Sequence, residues 1–176
     1  MFKNLKLLLI LISFLFLFSN YSYSEEKIVF IDVEYVYANS TVGKKINSEI
    51  EKKSKDLENQ FNKNKKTVDD SKDKLSKQKN VLSEEEFKNK IKELENNIKS
   101  LNSSISKKNN DIIRFKQNAK NKFLAELNKI LQNYATQNSI NLIISKNNIL
   151  LGKNNLDVTK EILSILDKEV KTIKIK

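Results

Sequence analysis

No proline occurs anywhere in the 176 residues, and the only glycines are Gly43 and Gly152. The 108 residues between them lack both of the residue types that break helices. A chain with so little punctuation can run very long helices, and its apolar positions follow that freedom. Phe87, Ile91, Leu94, Ile98, Leu101 and Ile105 recur at alternating steps of four and three, and the phase returns at Ile112, Phe115 and Ala119. This is a heptad seam, by which one helix packs along another. Lys108 interrupts it at one seam position.

Upstream the same pattern is thinner. Ile46, Ile50, Leu57, Phe61, Val68, Leu75 and Leu82 stand mostly one heptad apart, with polar residues such as Asn64 and Ser71 between them. Between the two stretches lies Ser83, followed by Glu84, Glu85 and Glu86, and Ser with Glu three residues later is a capping box that starts a new helix. The chain is therefore expected to turn near residues 82–86 and fold back antiparallel. A fold-back pairs positions of constant sum. Leu82 with Phe87, Leu75 with Leu94, Val68 with Leu101, Leu57 with Ile112, Ile50 with Ala119 and Ile46 with Phe123 all sum to 169, and Phe61 meets a misfit, Lys108. Residues 43–123 thus predict a slender helical hairpin, each arm roughly 60 Å long, with most of its surface solvated charge. A plain coiled-coil spacer or dimerisation rod would carry the same pattern.

Both ends are greasier than the middle. Three short runs are candidate strands: Ile28, Val29, Phe30 and Ile31; Leu142, Ile143 and Ile144 with Ser145; and Ile149, Leu150 and Leu151. None alternates, which suggests burial on both faces. The last two runs, separated by the turn-like SKNN, read as a hairpin. Strands so short cannot cover themselves, and other copies of the chain are the expected cover. A broader stripe of Phe123, Leu124, Leu127, Ile130, Leu131 and Tyr134 adds to this body. So does a final helix, capped near Asp157 or Thr159 and presenting Val158, Ile162, Leu163, Ile165 and Leu166. The expected fold class is α+β and mostly helical: a long antiparallel hairpin over 43–123 projecting from a small β body built from 25–42 and 124–176 and completed by oligomerisation.

The first residues carry a compartment signal. Lys3 and Lys6 precede the uncharged run LLLILISFLFLF from Leu7 to Phe18, then SNYSYS leads to the first acids, Glu25 and Glu26. Basic, apolar, small is the order of a secretory leader, which sets residues 1–24 as signal peptide with cleavage between Ser24 and Glu25. The apolar run is short for a bilayer span, which takes roughly 20 residues; a signal anchor is the alternative.

Removing that leader, with Lys3 and Lys6, leaves 31 basic and 22 acidic side chains, a net of +9. Such a charge favours acidic partners, among them anionic lipid, lipopolysaccharide and acidic polypeptides. Export makes nucleic acid the least expected of them, and general overuse of Lys and Asn explains the charge equally well. With no His, no Cys and no Gly-rich loop, the chain lacks a Cys or His nucleophile system, a metal cluster and a phosphate cradle, so no enzyme and no cofactor is expected. Asp32 and Asp157 read as a strand end and a helix cap, and Tyr35 and Tyr37 as packing beside the first strand.

The leader, then KIVFIDVEYVYANSTVGKK, a long hairpin turning near LSEEEFKNKIKELE, and finally INLIISKNNILLGKNNLDVTKEIL together resemble the Skp family of periplasmic chaperones, also called the OmpH family. The likeness covers essentially all of the chain after the leader and lies in the order of its parts. It implies a homotrimer in which strands of all subunits form a β-barrel, with helical tentacles enclosing a cavity. Unfolded outer-membrane proteins would be held there without ATP. A basic cavity would suit lipopolysaccharide or an anionic membrane surface as well. Lys63, Lys66, Lys72, Lys74, Lys77 and Lys107 are candidate client contacts because they lie on the hairpin, while the three apolar runs are the expected core of the trimer and of the body. A coiled-coil envelope protein, or a prefoldin-like chaperone if the leader is not used, is the competing reading.

Overall fold

The computed structural model describes residues 26–175; the leader, with Ser24 and Glu25, lies outside them. The described chain runs β1 (Ile28–Ile31), α1 (Val33–Asn39), α2 (Thr41–Gln78), α3 (Glu84–Gln137), β2 (Leu142–Ser145) and α4 (Thr159–Glu169), with 3-10 turns at Lys146–Asn148 and Asn154–Leu156. Strands β1 and β2 pair in parallel, Ile28 beside Leu142 and Ile31 beside Ser145, so the whole hairpin is the crossover between them. On its other side β1 bridges to Asp157, and the Val158 amide donates to the Phe30 carbonyl at 3.0 Å. Having neighbours on both edges and cover on both faces buries Val29, Phe30 and Ile31 consecutively, the signature of a strand in a parallel arrangement.

Helix α1 is capped by Asp32, whose carboxylate accepts from the Tyr35 amide at 2.8 Å. This element departs from the sequence reading, which left Asp32 as a strand end; VEYVYAN is rich in β-branched and aromatic residues, whose propensity is overridden here by a cap and by packing. Ser40 then ends α1 and caps α2 in one step: its amide donates to the Val36 carbonyl, and its hydroxyl accepts from the Gly43 amide at 3.1 Å. Fully buried, Ser40 has its polar groups satisfied by the two helices it joins.

The hairpin is α2 and α3. The first ends at Gln78, the chain turns through residues 79–82, and Ser83 opens the second with a complete capping box: the Glu86 amide donates to the Ser83 hydroxyl at 3.3 Å and the Ser83 amide to the Glu86 carboxylate at 3.0 Å. Those hydrogen bonds from Ser83 hold the Glu86 carboxyl below its ordinary range. Facing positions follow the expected register. Gln60 meets Lys108, the Lys53 ammonium sits 4.8 Å over the Phe115 ring, and Leu57 and Ile112 line the same grooves. Packing quality falls steeply along the arms. Ile46, Ile112, Ala119 and Phe123 are buried at the root, but from Glu51 to Asp111 no described side chain is. Phe61 is half exposed in a groove shared with Ile105 and Asn109, and the Asn64 side-chain amide nitrogen is enclosed without a partner.

Helix α3, at 54 residues, outlasts the 38 of α2, and its last four turns leave the hairpin to become the floor of the body. There Phe123, Leu127 and Ile130 meet Val29, Ile31, Val36, Val42, Val158, Ile162 and Leu166 in one core. Tyr37 stacks edge-on against Phe123 at 4.9 Å between ring centres.

Two expectations are corrected here. The run Ile149, Leu150, Leu151 forms no strand and no hairpin with β2; it is irregular, and Leu150 and Leu151 stand 107% and 93% exposed. The parallel pairing is the reason: β2 takes β1 as its neighbour, and the following chain must cross toward Asp157 on the far side of β1. The other correction concerns cover. β1 does not wait for another copy of the chain, because α1, α3 and α4 bury it within this one.

Candidate functional site

Surface chemistry concentrates in two places, the arms and the open side of the sheet. On the arms, Lys63, Lys66, Lys72, Lys74, Lys77 and Lys107 are all exposed, as solvated charges on an otherwise thin two-helix rod. The structure gathers none of the six into either groove at the arm root. The root has its own cationic group, which sequence reasoning passed over. Lys53, Lys108 and Arg114 surround Leu57, Ile112 and Phe115 in a groove of about 560 Å³ that also takes in Asp56, Gln60 and Asp111. The signal was present, since Lys108 breaks the heptad; a charge at a seam position sits beside apolar neighbours, where its stem packs and its head reaches water. Arg114 and Asp111 pair at 2.7 Å on the helix surface, which leaves the group less positive than its count of cations suggests.

A second groove of about 490 Å³ lies where α1 meets both arms, floored by Val33, Tyr37, Ile50, Phe123 and Leu124 and rimmed by Lys116 and Lys120. The Tyr37 hydroxyl donates to Asn47 at 2.9 Å, and burial pushes its pKa up. This tyrosine is anchored packing, as its position beside the first strand suggests; Tyr35 is 44% exposed and faces a more polar hollow with Lys146, Asp157 and Glu161.

Asp157 ties that hollow together. Its carboxylate accepts from the Thr159 amide at 3.0 Å and from Lys146 at 3.4 Å, while the Thr159 hydroxyl accepts from the Asp32 amide at 2.9 Å. Burial raises the Asp157 pKa, but the hydrogen bonds from Thr159 and Lys146 outweigh it and leave the group below its usual value. Both aspartates are thus committed to joining β1, α1 and α4. Among the described residues no group of three or more His, Cys, Asp or Glu side chains is placed to hold a metal ion, and no helix is long and apolar enough to cross a membrane.

The sheet's open side is apolar. Among the described residues β2 has β1 as its sole strand neighbour, and Leu142 is 50% exposed beside Ile143 and Ile144. The runs expected as trimer and body core divide by exposure: Val29, Phe30 and Ile31 are buried within this chain, Ile143, Ile144 and Ile149 are half buried, and Ile28, Leu142, Leu150 and Leu151 are exposed. A row of unpaired strand groups next to exposed leucines is a template for pairing.

Comparison with known proteins gives two findings. A model of the outer membrane protein (OmpH-like) family matches residues 27–166. The fold is shared with the crystal structure of a candidate outer membrane chaperone (OmpH-like) from Caulobacter crescentus CB15, with a TM-score of 0.80 at 14% identity, over 86% of this chain and 89% of that one. No curated protein matches the chain.

Proposed function

This chain belongs to the OmpH-like outer membrane protein family, and from that premise we propose that it is a periplasmic holdase: it binds unfolded outer-membrane proteins between its arms and prevents their aggregation without ATP. The observation that carries the proposal is the gradient along the hairpin, a packed root bearing arms with no buried side chain from Glu51 to Asp111. Such arms bend at little cost, and their surface is dense in lysine. The candidate outer membrane chaperone with the same fold supports the reading.

On this reading the leader 1–24 exports the protein, 25–42 with 124–176 form the body, and 43–123 is the tentacle. Three bodies join through β2 and the 149–151 segment into a closed barrel, which covers Leu142, Leu150 and Leu151 and leaves no open strand edge. The arms then enclose a cavity. Positive charge draws acidic clients over about a Debye length, roughly 8 Å at physiological salt, and enclosure keeps exposed apolar strands of the client from meeting one another. Lipopolysaccharide, acidic and acylated, is a second expected ligand of such a cavity.

The test is light scattering after dilution of a urea-unfolded barrel protein into buffer with the protein lacking its leader, at low and high salt and without nucleotide. Suppressed scattering near one trimer per client, with slower capture at high salt, is the expected result. Scattering unaffected at several-fold excess, or suppression that requires ATP, would defeat the holdase and leave a structural envelope rod as the better account.

A further inference from the structure

The family match ends at residue 166, yet the chain beyond it is bound to the body and to both arms. Asp167, in the last turn of α4, accepts from the Thr41 amide at 2.7 Å, a free N–H at the start of α2. After α4 the segment 170–175 crosses the hairpin root. Lys45, one turn into α2, donates its ammonium to the Lys171 carbonyl at 3.1 Å, and Lys122 of α3 donates to the carbonyl of Lys174. Interleaved with these ties and just beyond the last, Val170, Ile173 and Ile175 pack against the core. The segment thus holds the ascending arm through Thr41 and Lys45, the descending arm through Lys122, and the body through its apolar side chains.

We propose that residues 167–175 form a latch that fixes the angle at which the hairpin leaves the body. Leverage gives the latch its consequence. An arm of about 57 Å turned by roughly 10° at its root moves its tip by about 10 Å, so contacts worth little to the fold control a large displacement. Val42, Ile46, Ala119 and Phe123 hold the root from the core side, and the latch adds ties to the same root from the C-terminal segment; beyond Ile112 the arms bury no side chain, so with the root held bending is confined to the half-buried seam. Its grip has two separable parts, apolar side chains in the core and lysine donors from the arms. The latch does not depend on what the arms bind.

Amide hydrogen exchange on the full chain tests it with two variants. Lys45→Met with Lys122→Met removes both donors while keeping the aliphatic stems, at exposed or half-buried positions that leave the core untouched. Ile173→Asp with Ile175→Asp releases the apolar grip. In each, exchange at the arm roots, residues 42–50 and 116–124, is expected to accelerate on the order of tenfold while β1 and the amides around Ile162 keep their wild-type rates. Unchanged root exchange in both variants would overturn the latch. Equal acceleration of β1, α4 and the roots would also overturn it, since the segment would then be an ordinary part of the core. No client enters the measurement, so its failure is distinct from failure of the holdase.

Discussion

At Ser40 two helices meet with no loop between them, and the chain tolerates this because Gly43 has no side chain. A Cβ on Gly43 would overlap the Tyr37 carbonyl oxygen and press on the Ser40 hydroxyl. Two effects of Gly43→Ala oppose each other. Replacing a helical glycine gains about 1 kcal/mol of propensity, whereas overpacking costs about 1–3 kcal/mol and here falls on backbone, which cannot swing aside. The clash should win. A net loss of roughly 1–2 kcal/mol is expected from the urea midpoint of the purified protein, and a gain in stability would mean that α1 and α2 do not approach as described. In the sequence Gly43 was legible only as a break in a helix-permitting run. Its real role depends on Tyr37, six residues back, and on the cap at Asp32, which the β-rich composition of VEYVYAN concealed.

The hairpin was the most legible element, because a heptad seam and a capping box are both written in local spacing. What spacing could not reveal was how unevenly that seam is packed, since burial at Ala119 and Phe123 draws on α1 and α4 as well as on Val42, Ile46 and Ile50 of the facing arm. Half-buried positions such as Val68, Leu75, Leu94 and Leu101 bury too little to anchor the fold. Removing two heptads from each arm in register, residues 61–74 and 95–108, keeps the turn, the Ser83 cap and the heptad phase. It also deletes the exposed Phe61, the unpartnered Asn64 nitrogen and Lys108. Each arm shortens by about 21 Å. Stability of the body should shift by less than about 1 kcal/mol, because no buried side chain is lost, while protection of an unfolded barrel protein against scattering should fall sharply. Unchanged protection would place client binding on the body surface.

At the scale of the whole molecule, the sequence posed a question that a single chain answers only in part. Three apolar runs implied missing cover; α1, α3 and α4 provide it for β1, but among the described residues β2 has no strand on its other edge and Leu150 and Leu151 are almost wholly exposed. Sequence alone could not divide these runs, because burial within a chain and burial between chains demand the same residue types. Their exposures now show which positions are buried within one chain, and the exposed ones give a clean probe of assembly. Leu150→Asp with Leu151→Asp places charges at positions fully solvated in the isolated chain, so the fold of the monomer should be indifferent to them. If three chains close a barrel there, the same charges enter a dry sheet, where each costs several kcal/mol without a partner. Sedimentation of the wild-type protein should then give a trimer whose unfolding midpoint rises with concentration. The double variant should sediment as a monomer with unchanged helical circular dichroism and a midpoint independent of concentration. A variant that sediments like the wild type would show that these leucines lie outside any interface, and the barrel would have to be abandoned.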